Sequence, residues 1–176
     1  MLRCGRHAVR VHTLITDVAE YAIYLVAAGA LLVWLVIGRR NKLALAVQGA
    51  VAVIVVAILI WIAGKLHTDP RPFVVNHHLK PFFHHAPDNG FPSDHTALGA
   101  AVSFVVMWWR RIVGGLLLLI SVGMGAARVA AHVHHVQDIV AGALLGLLAA
   151  AIAVLLWHLL AGRLARADHR YNRSEP

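Results

Sequence analysis

The chain has 176 residues, 60% of them hydrophobic and 14% charged, with a mean hydropathy of +0.71. Soluble domains run near half apolar and about a quarter charged, so this composition excludes a disordered chain and points to a helical membrane bundle with short loops. Sixteen Lys+Arg against eight Asp+Glu give a net charge of +8. These charges flank apolar runs, which indicates an anionic membrane surface rather than nucleic acid as the basic partner. Cys4 is the only cysteine, so neither a disulfide framework within the chain nor a Cys-based zinc site is available.

In chain order, residues 1–16 carry Arg3, Arg6 and Arg10 without an apolar core. They read as an amphipathic tail along the interface rather than a cleavable signal peptide. The membrane-embedded domain is expected over 17–162. Tyr21 to Gly38 and Leu43 to Gly64 are uncharged for eighteen and twenty-two residues, long enough to cross about 30 Å of hydrocarbon at 1.5 Å per residue. Thr96 to Ala127 is too long for one span and is interrupted by Arg110-Arg111. An arginine pair at the bilayer centre is costly, so two short helices hinged there are expected. Ile139 to Gly162 is the last span, and 163–176 forms a basic cytoplasmic tail. The prediction is an all-α bundle of about five helices, near 18–38, 43–64, 94–109, 112–128 and 136–161, with Trp34, Trp61, Trp108, Trp109 and Trp157 near helix ends.

Orientation follows from the cations. Arg39, Arg40, Lys42, Arg110, Arg111, Arg163, Arg166, Arg170 and Arg173 fall on one side, and Lys65, Arg71, Lys80 and Arg128 on the other. The positive-inside rule places the first set in the cytoplasm. Lys65 to His95 is the only long loop, and Pro70, Pro72, Pro81, Pro87 and Pro92 forbid a continuous helix through it. A loop of roughly thirty residues in so small a chain is usually functional. It shares the extracytoplasmic side with Arg128 to Asp138, so cations, histidines and a carboxylate meet at one face.

Pro92-Ser93-Asp94 before an apolar run reads as a helix start with Ser93 or Asp94 as N-cap, whose free N–H groups suit phosphate. Arg71 and Arg128 offer planar forks for phosphate oxygens. His134 and Asp138, four apart, would on a helix face one side, the carboxylate holding one ring nitrogen and leaving the other as nucleophile. His95 can supply a proton to a leaving oxygen. Together these describe phosphoryl transfer without a metal, driven by charge stabilisation and a histidine nucleophile. Each feature alone has a plainer reading: a structural His–Asp bond, a snorkelling arginine, an interfacial loop.

The same residues resemble the type 2 phosphatidic-acid phosphatase superfamily, whose motifs are K-x6-R-P, P-S-G-H and S-R-x5-H-x3-D. Here stand Arg71-Pro72, Pro92-Ser93-Asp94-His95, and Ala127-Arg128-x5-His134-x3-Asp138. Only five residues separate Lys65 from Arg71, Asp94 replaces the glycine and Ala127 the serine. The PRPFV and FPSDHT segments, with DVAEYAI at Asp17 to Ile23, are similar to undecaprenyl-diphosphatases of the bacitracin-resistance type. The resemblance implies that His134 attacks the terminal phosphorus, Asp138 orients it and His95 protonates the leaving group. Arg71, Ser93 and Arg128 would hold the phosphate, with Asp94 and Lys65 as further candidates, and no metal or other cofactor is implied.

The expected activity is hydrolysis of undecaprenyl diphosphate to undecaprenyl phosphate at the outer face of the cell membrane, recycling the lipid carrier of cell-wall precursors. A phosphatidic-acid or phosphatidylglycerophosphate phosphatase is the alternative within that chemistry. From another class, nine histidines between His67 and His135 also fit a metal-binding membrane protein or transporter. Against that stands the lack of acidic or histidine residues inside the spans, apart from His158 near an end.

Overall fold

A computed structural model describes the backbone of residues 2–174 and the side chains of residues 9–161. The fold is all-helical: α1 (Leu2–Val36), α2 (Arg39–Leu66), the single turn α3 (Pro72–Val75), α4 (Asp94–Trp109), α5 (Arg111–Ala130) and α6 (Val136–Ser174). The breaks fall where local chemistry requires them. Gly38 precedes α2 and Arg110 separates α4 from α5 in a non-helical conformation, φ −143 and ψ 86. The prolines keep 67–93 irregular apart from α3, which starts on Pro72, a residue that needs no N–H at that position.

Among the described residues, four helices are long and apolar enough to cross a membrane: Val9–Val36, Arg39–Leu66, Arg111–Ala130 and Val136–Ala161. The chain is a multi-pass membrane protein. At 16 residues α4 is shorter, about 24 Å at the α-helical rise, and it packs against α1, α2, α5 and α6. Its place at the centre of the bundle matches its composition, since Ala97, Ala100, Ala101, Val105 and Val106 are all buried.

Small residues bring the helices together. A Cβ on Gly142 of α6 would lie 2.7 Å from the Ser93 carbonyl oxygen, and one on Gly146 only 2.5 Å from that of Ala97. Helices α4 and α6 therefore touch backbone to backbone. Buried polar groups are paired across helices: Trp109 Nε1 donates to Gln48 Oε1 at 2.7 Å, and the Ser103 and Ser121 hydroxyls lie 3.3 Å apart.

Helix α1 runs through the boundary expected at residue 16, and His12 stacks on Phe82 of the long loop with ring centroids 4.0 Å apart. Arg10 is exposed. The side chains of Arg3 and Arg6, and those of the basic tail at 163–176, lie outside the described residues.

Candidate active site

Three segments converge at one end of the bundle: the loop 67–93, the start of α4, and the turn 131–135 between α5 and α6. Phe82 N–H donates to the Ala131 carbonyl at 3.2 Å, and Ser93 N–H to the Asp138 carbonyl at 3.1 Å. His132 ends α5 with φ 62, the left-handed turn that commonly closes a helix. It thereby reverses the chain so that His134 follows the end of one helix and precedes the next.

His134 and Asp138 are paired, though not as two side chains on one helical face. His134 precedes α6 and Asp138 sits in its first turn. The Asp138 Oδ2 accepts the His135 backbone N–H at 2.8 Å and lies 3.3 Å from His134 Nδ1. An acidic side chain reaching back to the residue at the helix entry is the geometry of a capping box. One carboxylate thus satisfies the helix terminus and fixes the imidazole, with both side chains buried. Burial lowers the His134 pKa, and Arg128 and Arg71 push it the same way, outweighing the Asp138 hydrogen bond. The ring is neutral at pH 7, with Nδ1 turned to Asp138 and the Nε2 lone pair turned to Arg71.

Arg71 reaches that nitrogen, and Arg128 is a second positive charge near the ring. Arg71 Nε donates to Asp88 Oδ1 at 2.7 Å and its Nη1 to the Val133 carbonyl at 2.8 Å, leaving Nη1 3.4 Å from His134 Nε2. Arg128 Nη1 donates to the Ala19 carbonyl of α1 at 2.8 Å, while its Nε is buried without a partner. A buried guanidinium donor with no acceptor is a place for an oxyanion.

Ser93, fully buried, is the residue preceding α4, and its hydroxyl lies 3.1 Å from that of Thr96. Asp94 opens the helix and is exposed. What its position offers a phosphate is a first-turn backbone N–H rather than its like-charged carboxylate. His95 is half-buried at the start of α4; burial first, and then Arg128, His134 and His85, lower its pKa to about 4, so this ring too is neutral in the empty pocket. Lys65 stands apart, exposed on the last turn of α2 without a hydrogen bond to this cluster.

Several supporting residues carry no motif. Asn89 ties the loop to α2: its Oδ1 accepts the N–H groups of Asp69 and Phe91, and its Nδ2 donates to the carbonyls of Gly64 and His67. Asp69 Oδ2 receives Gln137 Nε2 and His135 Nδ1. Partial burial raises the Asp69 pKa, but those partners outweigh it and hold the carboxyl below its usual range. Asp88 is likewise kept ionised by Arg71 against the effect of burial. The acidic residues of this proline-rich loop were the available signal, since each has a cation or N–H to satisfy. Asp69, His135 and Asp138 hold ligand atoms within 4.8 Å of one another; Asp69 Oδ2 is taken up by His135 Nδ1 and Gln137 Nε2, and Asp138 Oδ2 by the His135 N–H and His134 Nδ1.

A buried histidine held by a carboxylate, with two arginines and a helix start beside it, is an arrangement suited to phosphoryl transfer. Residues 41–163 match the model of the PAP2 superfamily, and the chain belongs to that family of membrane phosphatases. Among relatives it is 33% identical over 146 residues to the bacitracin transport permease protein BcrC of Bacillus licheniformis, covering 83% of this chain and 71% of that protein. It is 28% identical over 122 residues to the undecaprenyl-diphosphatase BcrC of Bacillus subtilis, covering 69% and 62%. The crystal structure of Aquifex aeolicus LpxE superposes with a TM-score of 0.68 at 20% identity, over 82% of this chain and 85% of that one. This last likeness establishes the fold.

Proposed function

We propose that the protein hydrolyses undecaprenyl diphosphate to undecaprenyl phosphate and inorganic phosphate through a phosphohistidine intermediate, on the extracytoplasmic face of the cell membrane. The observation that carries this reading is a neutral His134 held at Nδ1 by Asp138, with its Nε2 lone pair 3.4 Å from Arg71 Nη1, a donor that an arriving phosphate oxygen can take over. In the first step that lone pair attacks the terminal phosphorus and the bond to the bridging oxygen breaks. His95, neutral in the empty pocket and protonated once the anionic substrate is in place, gives that proton to the departing undecaprenyl phosphate. Arg71, Arg128 and the α4 start neutralise the equatorial oxygens, an electrostatic contribution that acts most strongly in a water-poor site. Water then attacks the phosphohistidine, deprotonated by His95, and frees phosphate. Asp138 stabilises the imidazolium formed at each turn.

The choice of a polyprenyl diphosphate over a glycerolipid rests on the undecaprenyl-diphosphatase relative and on the FPSDHT motif at Phe91 to Thr96. The test is phosphate release by purified protein given undecaprenyl diphosphate, phosphatidic acid and phosphatidylglycerophosphate, with His134→Ala alongside. Turnover greatest on the diphosphate, lost in the variant, and an acid-labile phosphoryl label on the wild-type chain are expected. Faster turnover of the glycerolipids refutes the substrate, and activity surviving in His134→Ala refutes the nucleophile.

A further inference from the structure

His85 belongs to none of the three motifs, yet its ring lies among the residues just described. It sits between two anchors of the loop, the Phe82–Ala131 backbone hydrogen bond and the Asp88–Arg71 ion pair. Its Nε2 is 3.4 Å from Arg128 Nη2, and its ring is nearly perpendicular to that of His134, with centroids 6.3 Å apart. Phe83 backs the same corner, 6.3 Å from His85 by ring centroids and 5.9 Å from the Arg128 guanidinium carbon.

Arginine carries donors only, so in the empty pocket His85 Nε2 is the acceptor and the ring proton is on Nδ1. An arriving phosphate oxygen competes for the Arg128 hydrogens and, being anionic, is the stronger acceptor. The His85 lone pair would then face an oxyanion. That contact is repulsive unless Nε2 carries a hydrogen.

We propose that His85 is a substrate-binding residue, which donates Nε2–H to an oxygen of the bound phosphate or diphosphate and supplies the third positive contact that the displaced Lys65 does not reach. The proposal rests on the reading of this pocket as a phosphate site. The charges around the ring are Arg71, Arg128, Asp88, His134 and His95, with Asp94 at the α4 start. In the empty pocket burial, and then Arg71 and Arg128, hold the ring neutral with a pKa lowered to about 4, the Ala86 carbonyl and Asp88 acting weakly the other way. A bound diphosphate reverses the sign of that field. His85 is therefore uncharged while the site waits and charged once the anion is in, so anion binding takes up a proton.

The experiment is titration calorimetry of the full-length protein in detergent with inorganic pyrophosphate, at pH 6.5 in two buffers of different ionisation enthalpy. It is run on wild type, His85→Gln and the exposed neighbour His84→Gln, with thermal unfolding of each to verify folding. Losing a hydrogen bond to a charged group weakens binding by about tenfold or more. His85→Gln is expected to show that loss together with reduced proton uptake, and His84→Gln to match wild type. Equal affinity and equal uptake in wild type and His85→Gln overturn the proposal. Should His85→Gln unfold, His85→Asn is the second variant, read in the same way. The same proteins are assayed on undecaprenyl diphosphate: failure of all to turn it over, with His85-dependent pyrophosphate binding intact, rejects the substrate reading and leaves His85 in place. Wild-type turnover with His85-independent binding does the reverse.

Discussion

Gly142 and Gly146 lie one turn apart on α6 and press on the same helix, so alanine at each asks how the frame serves the site. At Gly142 the new Cβ would sit 2.7 Å from the Ser93 carbonyl oxygen and 3.2 Å from Ala97 N; at Gly146, 2.5 Å from the Ala97 oxygen and 2.8 Å from Ala101 N. These are backbone atoms, which cannot swing away as a side chain can. Ordinary contact lies near 3.4 Å or beyond, so α4 must retreat by something over half an ångström in either variant. Overpacking costs about 1–3 kcal/mol, offset by about 1 kcal/mol from the better helix propensity of alanine. The net loss, up to about 2 kcal/mol, corresponds to a melting temperature lower by a few degrees.

Activity should divide the two glycines more sharply. Ser93 and His95 begin α4, so the Gly142→Ala retreat falls on the phosphate-facing end, where a misplacement of about 1 Å costs around 100-fold. The Gly146→Ala retreat falls a turn deeper and should cost less than about tenfold. Gly115, with nothing within 4 Å of an added Cβ, serves as the control, its alanine variant at least as stable as wild type. Tryptophan fluorescence during heating and phosphate release in detergent measure both quantities. Wild-type activity and stability in Gly142→Ala, or an equal activity loss in all three, would refute the claim that backbone contact between α4 and α6 sets the catalytic distances.

Three further outcomes are expected. Because His134 and His85 have pKa values below 6.5 when folded, the unfolded chain binds more protons between the folded and unfolded values. Stability contributed by these rings is present above pH 6.5 and lost as the pH falls towards 4; a melting temperature unchanged from pH 7 to pH 5 would contradict this. His95→Ala should depress hydrolysis of a monoester lipid, whose leaving alkoxide is poor, more than that of a diphosphate lipid, and p-nitrophenyl phosphate least, within a general-acid contribution of about 100- to 10,000-fold. Equal losses on all three would make His95 a binding residue. For orientation, cysteine at exposed His78 should label with an impermeant reagent in intact cells and cysteine at Asn41 should not; Asn89 is a poor choice, since its side chain clamps the loop.

The helices were legible because each cause is local: uncharged runs fix the spans, prolines the loop, and the Arg110-Arg111 pair the break between α4 and α5. The gathering of Arg71, Ser93, His95, Arg128, His134 and Asp138 at one end was also legible, through spacing and the alternation of spans. What escaped depends on chain closure. The capping geometry of Asp138 needs the turn at His132, which no residue type there announces. Asp88 on Arg71 and Asn89 on α2 are set by how the loop folds back on itself. Gln48 with Trp109 joins residues from two helices whose facing sides a hydropathy reading cannot assign. The stretch before residue 17 reads in sequence as an amphipathic tail along the interface, and its continuity with α1 in the described backbone is not something its arginines announce.

Arg128 is held by a main-chain oxygen of α1, that of Ala19. Asp17 and Glu20 flank it in sequence, and the uncharged run of α1 begins only at Tyr21, so the anchor stands at the polar end of that run. Because it is a carbonyl of the main chain, a side-chain substitution at position 19 leaves the acceptor in place: part of what aims this guanidinium is written in the backbone path of α1 and in no residue type.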